Sequence, residues 1–391
     1  MSTIAKSSER PSLVVLAVTY LAFISLGLPD SVLGVAWPAI RETLKLPLET
    51  VGLLTLVLTL LSATASFLSG TLTKRFSTGP IIIVSSLATG SALLVFSSAP
   101  SFLFLLLAAI PLGLGAGSVD SVLNAYVAKH YSARHMNWLH SFWGGGATLG
   151  PIVMTTALGV GAGWRGGYLW IASAQLALAV LFLATLPLWQ RNEKRILAHS
   201  ETQEHLHGPW SSRSAAAWLS VAIYILYVAG EMGAGLWANT LLIESRHFAP
   251  GAAGLWVAAY FGSIMGGRML VGFVVNRWGN RRLVTVGLTL ALAGAVLFFL
   301  PGIPPVGLVL MGLGFAPVYP CLMHETPRRF TADASPVVIG RQVGAAYVGG
   351  AFIPGLIGWA MAHSTLEILA PVLIVMVLGM LLAVARLNRM G

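Results

Sequence analysis

The chain is 391 residues long, 56% hydrophobic and only 9% charged, where a water-soluble domain carries about 25% Asp, Glu, Lys and Arg. That composition excludes a soluble enzyme. The net charge of +10 is scattered in small groups between apolar segments, which excludes a nucleic-acid-binding patch, and the single cysteine, Cys321, excludes an intramolecular disulfide framework.

A helix needs about 20 apolar residues to cross a hydrocarbon core about 30 Å thick, so the length allows about a dozen crossings. Long apolar runs without period-2 alternation point to helices, which satisfy their own backbone hydrogen bonds in lipid, and not to a barrel. In chain order the segments are 13–37, 50–72, 80–98, 102–128, 138–160, 166–189, 215–241, 251–275, 283–300, 306–323, 337–361 and 366–384. The first follows Lys6 and Arg10, as a signal peptide would, but runs past Asp30 without a small-residue cleavage site, so it reads as a retained crossing. Between the sixth and seventh lies one long polar stretch. The chain therefore divides into a six-helix bundle over 1–190, a linker over 191–213 and a second six-helix bundle over 214–391. His199, His205 and His207 in the linker read as part of a solvated tether, with no metal and no cofactor expected.

Orientation follows from the Lys and Arg flanking the crossings. An N-terminus in the cytoplasm puts Lys6, Arg10, Lys74, Arg75, Lys129, Arg134, the linker cations, Arg277, Arg281, Arg282, Arg328, Arg329, Arg386 and Arg389 on the inner surface. Only Arg41, Lys45, Arg165 and Arg246 fall outside. Both termini are thus expected in the cytoplasm, in a multi-pass protein of the cytoplasmic or inner membrane. Tryptophans near segment ends, Trp37, Trp138, Trp164, Trp170, Trp189 and Trp278, read as interface-belt residues.

The halves echo each other. Gly70-Thr-Leu-Thr-Lys74-Arg75 matches Gly272-Phe-Val-Val-Asn276-Arg277, and Gly113-Leu-Gly115 matches Gly312-Leu-Gly314, at the same ordinal positions. The stretch from Gly267 and Arg268 through Gly272, Asn276, Arg277 and Gly279 to Arg281-Arg282 resembles the loop signature G-x-x-x-D-R-x-G-x-R-R of the major facilitator superfamily. Asn276 stands at the usual Asp, and in the first half Lys74 stands there and Ser77 replaces a glycine.

Within that superfamily, several segments resemble the fucose-galactose-proton symporter family. They include Gly27-Leu-Pro-Asp30, the run from Gly113 through Asp120 and Asn124 to Tyr126, Leu139-His140-Ser-Phe-Trp143-Gly144, Tyr227-Val-Ala-Gly230-Glu231 with Trp237, Gly314-Phe-Ala-Pro317-Val-Tyr319-Pro320, and Gly340-Arg341-Gln342. The resemblance implies an all-α membrane protein of two six-helix bundles related by a pseudo-two-fold. It also implies substrate recognition and protonation at Asp30 and Asp120.

Membrane carboxylates are functional candidates by default, costing about 2.5 to 3.5 kcal/mol at a helix centre. Asp120 lies roughly 13 Å along its helix from Lys129, and Asp30 roughly 16 Å from Arg41, so neither reaches water by snorkelling. Low dielectric disfavours a charged carboxyl, which lets such a group take a proton and release it when the site opens to the other side. The alternatives are a structural bond for Asp30 beside the helix-breaking Pro29 and a structural partner for Asp120. Glu231 precedes a glycine-rich stretch in the seventh crossing and reads equally as a ligand or as an interhelical lock.

A sugar needs aromatic platforms flanked by hydroxyl and amide partners. Trp143, Trp237 and Tyr319 are candidates for stacking, and Asn124, His140, Asn239 and Gln342 for hydroxyls. Arg268 and Arg277 from the loop signature and Arg341, placed to pair a carboxylate across the halves, are candidates for gating. Glycines three residues apart, Gly146/Gly150, Gly262/Gly266 and Gly340/Gly344, read as close-packing sites where the halves rock. The expected function is uptake of a monosaccharide-like solute by symport with a proton, or with sodium, by a monomer in the bilayer. A proton-driven exporter of amphipathic compounds is the competing reading.

Overall fold

A computed structural model describes residues 13–130, 133–189, 191, 209–300, 305–331 and 334–390. Lys6, Arg10 and linker residues 192–208, with His199, His205 and His207, lie outside the described residues. Among the described residues the chain is helical throughout, apart from one isolated parallel bridge between Trp210 and Phe330.

The first crossing is two helices, α1 (Leu13–Asp30) and α2 (Val32–Leu44). Pro29 has no N–H to give residue 25, and the helix breaks two residues later at Ser31. Ser31 Oγ is donated instead to the Ala147 carbonyl at 2.7 Å. Crossings two to six are α3 (Thr50–Phe76), α4 (Thr78–Ser98), α5 (Phe102–His130), α6 (Ala133–Gly159) and α7 (Gly163–Ala184). The seventh is α8 (Ala215–Thr240), extended by a π turn over Leu241–Ser245, followed by α9 (Pro250–Trp278) and α10 (Asn280–Phe299). The tenth breaks again at a proline, Pro317, into α11 (Val306–Phe315) and α12 (Val318–Arg329). The last two are α13 (Ala334–His363) and α14 (Leu369–Met390).

Ten of these spans are long and apolar enough to cross a membrane. With α3 and α6 they make the expected twelve crossings. α6 packs between α1 and α9, and α3 between α5 and α13. Elsewhere large apolar side chains such as Val84, Leu103, Val180, Leu270 and Phe273 stand exposed on outer faces, as a hydrocarbon surrounding requires.

The halves meet along α6–α9, α3–α13 and α2–α8. At the end of the bundle opposite the termini they are joined closely. A Cβ on Gly34 would stand 2.7 Å from the Gly235 carbonyl oxygen, and one on Gly52 would stand 2.9 Å from the Gly355 Cα. Asn239 Nδ2 donates across to the Val35 carbonyl at 3.2 Å, and Arg41 forms a two-pronged bond to Glu244 at 2.8 and 2.9 Å.

Two expectations from spacing come out differently. Gly146 and Gly150 admit the backbone of α1 at Ile24 and Leu28, within one half, while Gly266 and Gly340 face open space. The inter-half α6–α9 contact uses Gly144 against Met265, Gly254 against Thr155 and, of the expected glycines, Gly262 against Thr148. Of the expected belt tryptophans, Trp170 and Trp278 are exposed, whereas Trp37, Trp164 and Trp189 are buried. Trp37 Nε1 donates to the Leu48 carbonyl and Trp164 Nε1 to Thr43 Oγ1; these indoles lock helix ends together.

Candidate functional site

A cavity of about 340 Å³ lies between the halves. Its polar lining includes Asp30, Asp120, His140, Glu231, Arg268 and Tyr319, with Tyr347 and hydroxyls of the second crossing. Trp143, Phe261 and Met232 supply aromatic and apolar wall.

Asp30 is the last residue of α1, aimed into this space by the break at Ser31. Its Oδ2 accepts a bond from Trp143 Nε1 at 2.9 Å. Trp143 in turn turns its ring face to the Arg268 guanidinium, 5.4 Å from centroid, and its edge to Phe261. Asp120 accepts two neutral donors: Asn124 Nδ2 at 2.8 Å from one turn along α5, and the Tyr347 hydroxyl at 3.1 Å from α13 in the other half. Tyr347 also shares a 2.9 Å bond with Ser66.

On the opposite wall Glu231 and Arg268 form an ion pair at 3.0 Å with side chains only 4% and 5% exposed. Arg268 also donates to the Tyr227 hydroxyl at 3.0 Å, and the Tyr260 hydroxyl donates to the Glu231 carbonyl. Arg268 Nε has no acceptor. A charge pair this deep is supported only by good geometry and further bonds; Tyr227 supplies one to the guanidinium, while Tyr260 ties the main chain at Glu231. His140 packs between Phe23 and Tyr319, with ring centroids at 5.8 and 5.9 Å.

The structure thus gathers Asp30, Asp120, His140, Trp143, Glu231, Tyr319 and Arg268 around one space, with Asn124 directly behind Asp120. Arg268 stands in the cavity wall and not at the helix end that the loop signature suggests. Other candidates lie elsewhere. Trp237 is buried with Nε1 donated to the Pro354 carbonyl, and Asn239 is part of the closed end described above. Gln342 accepts from Thr326 Oγ1 at 3.1 Å, away from the cavity. Arg277 is exposed in the last turn of α9. Arg341 donates to the Ser212 carbonyl at 2.6 Å and stacks over Trp218, so its partner is the end of the linker instead of a carboxylate.

Sequence reasoning passed over Tyr227 and Tyr347. Tyr347 sits among alanines and glycines in α13, and a lone hydroxyl-tipped ring on a small-residue helix is the signal that would have found it. Glu325, at the end of α12, is buried and surrounded by Asn280, Arg281, Arg328 and Arg329.

Comparison with known proteins agrees with this architecture. The Probable sulfoacetate transporter SauU of Cupriavidus necator is 27% identical over 331 residues, covering 78% of this chain and 70% of that protein. The solved nucleoside transporter NupG superposes with a TM-score of 0.73 at 12% identity, covering 95% of this chain and 99% of that one. The human organic anion transporter MFSD10 (TETRAN) superposes with a TM-score of 0.68 at 16% identity, covering 95% and 98%. At these identities the solved structures speak for the fold alone. The sequence pattern of the Major Facilitator Superfamily matches residues 19–354, from the first crossing into the eleventh. That match spans most of the chain and agrees with two packed six-helix halves, so the protein is a transporter and not an enzyme, and the chain belongs to the Major Facilitator Superfamily.

Proposed function

We propose that the protein is a secondary active transporter that carries a small, neutral, polyhydroxylated solute, such as a monosaccharide, by symport with a proton. The reading rests on the cavity's charge: Asp30, Asp120 and Glu231 against Arg268 alone, which Glu231 already neutralises. An anionic solute would meet two further carboxylates there. Its volume, about 340 Å³, is at the small end of ligand sites, which suits a single ring and disfavours bulky amphipathic cargo. Trp143 and Tyr319 offer ring faces, and His140 and the two aspartates offer hydrogen-bond partners at the edges.

Asp30 and Asp120 are the coupling groups in this proposal, as the resemblance to the fucose-galactose-proton symporter family implies. Each is held by uncharged donors, so protonation breaks no ion pair and changes the charge facing the solute. The division at residues 190 and 214 gives two rocking bodies with the linker between them, and the arginine distribution sets both termini in the cytoplasm. The closed end then faces outward.

A second reading has a specific observation behind it. Arg268 is a guanidinium in the cavity wall, and the relative SauU is named for an organic anion. If Glu231 took the proton, Arg268 would be free to hold a carboxylate or sulfonate. Purified protein in proteoliposomes, in sodium-free buffer with a pH-sensitive dye, separates these readings on a panel of monosaccharides, nucleosides and small carboxylates and sulfonates. External alkalinisation on adding a neutral solute is the expected result. Alkalinisation with anions alone replaces the first reading by the second, and uptake that requires added sodium reassigns the cation.

A further inference from the structure

We propose that the cleft where α9, α10 and α12 meet at the termini end of the second half binds the phosphate of an anionic phospholipid headgroup. The cleft encloses about 430 Å³ and is lined by Trp278, Arg281, Arg282, Glu325 and Arg328 among others. Its charge is unbalanced. Glu325 is the one carboxylate in the lining, and three guanidiniums converge on it: Arg281 at 3.2 Å, Arg328 at 3.5 Å and the buried Arg329 at 3.9 Å, whose Nε has no hydrogen-bond acceptor. Arg282 adds a fourth. Among the described residues one negative charge faces these four, and the exposed Arg282 and Arg328 offer guanidinium donors to an outside anion. Arg and phosphate oxygens match in charge and in forked geometry.

The level of the cleft identifies the anion's source. Along α9 the exposed apolar stripe of Leu270 and Phe273 gives way to the exposed Trp278, and an exposed indole at the end of such a stripe marks the membrane–water interface. Arg282 stacks over that indole, 5.4 Å from its centroid, which holds its guanidinium at headgroup depth. A phosphodiester in the cleft would lay its acyl chains along Leu270 and Phe273, an anchorage a free phosphate lacks. Basic pockets between membrane helices bind anionic headgroups by this combination of charge and depth. The first turn of α10 also opens here behind Gly279, without a side-chain cap, and its amides add partial positive charge.

The test is native mass spectrometry of the full chain equilibrated with phosphatidylglycerol or phosphatidylcholine of matched acyl chains. Phosphatidylglycerol should be retained about tenfold better, and the double variant Arg282→Gln/Arg328→Gln should lose that preference, since each basic side chain near an anionic headgroup contributes a comparable share. The variant keeps the Arg281 and Asn280 bonds to Glu325 that hold the corner together. A companion Arg282→Lys/Arg328→Lys variant retains charge and should retain the lipid, so a folding defect is told apart from loss of the site. Equal retention of the two lipids by the unaltered protein, or of phosphatidylglycerol by the Gln variant, would overturn the assignment. So would release of the lipid by inorganic phosphate at equal concentration, which would give the site to a free anion.

Discussion

The two aspartates in the cavity differ in what holds them, and the difference is testable residue by residue. Asp120 is bonded across the halves through Tyr347, so Asp120→Asn should abolish solute-driven proton movement while leaving solute exchange between preloaded vesicles. Gradient-driven accumulation at the unaltered level by this variant would remove Asp120 from the coupling. Asp30 is bonded within its own half by Trp143 Nε1; Trp143→Phe keeps a ring facing Arg268 but deletes the donor. A hydrogen bond to a charged group is worth about 1.5 to 3 kcal/mol, so apparent solute affinity should fall about tenfold or more, read as KM in uptake assays. The Glu231–Arg268 pair gives a stability prediction. Removing one partner of a buried pair costs about 3 to 5 kcal/mol, so Arg268→Met should lower the melting temperature sharply. The double variant Glu231→Gln/Arg268→Met should recover most of that loss without recovering transport. The acids were legible in the sequence, because a carboxylate inside an apolar run is costly wherever it points. Their partners were not: Tyr347 is 227 residues from Asp120, and no local pattern joins them.

At the level of elements, proline and glycine decide shape. Pro29 and Pro317 split the first and tenth crossings, and each split lies beside a cavity residue, Asp30 in one case and Tyr319 in the other. Gly34 lets α2 approach α8 backbone to backbone; a side chain there would meet the Gly235 and Leu236 carbonyl oxygens at 2.7 and 2.8 Å. Gly34→Val should therefore wedge the closed end apart. A cysteine introduced at position 35 should become reactive to a membrane-impermeant thiol reagent added from outside, in a background lacking Cys321. Unchanged labelling relative to Gly34 would refute the packing argument. Helix existence was readable from hydropathy almost everywhere. Which face each helix buries was not, because an apolar side chain can meet a neighbouring helix or lipid equally well. For the same reason Trp37, Trp164 and Trp189 read as belt residues yet are interior ties.

For the whole molecule, the closed end is held by the Arg41–Glu244 bridge between the halves, with side chains 28% and 31% exposed. Partly exposed pairs contribute about 0.2 to 1 kcal/mol, so Arg41→Gln should shift the balance between closed and open ends by up to about fivefold. Transport in this variant should respond less to ionic strength than in the unaltered protein, measured as uptake rate across a salt series; an identical salt response would show that the bridge does not set the balance. The class, the twelve crossings and the superfamily were determined by the sequence by itself. Membrane insertion is a property of each segment's own hydropathy, and a loop signature is a local string. Which candidates share a cavity was decided only by the tertiary structure. Trp237, Asn239, Gln342 and Arg341 carry the same chemistry as His140, Trp143 and Arg268. What separates them is where each helix breaks, how it is rotated and which helix of the opposite half it meets, set by side-chain packing between segments up to hundreds of residues apart, and that information is held by no single stretch of chain.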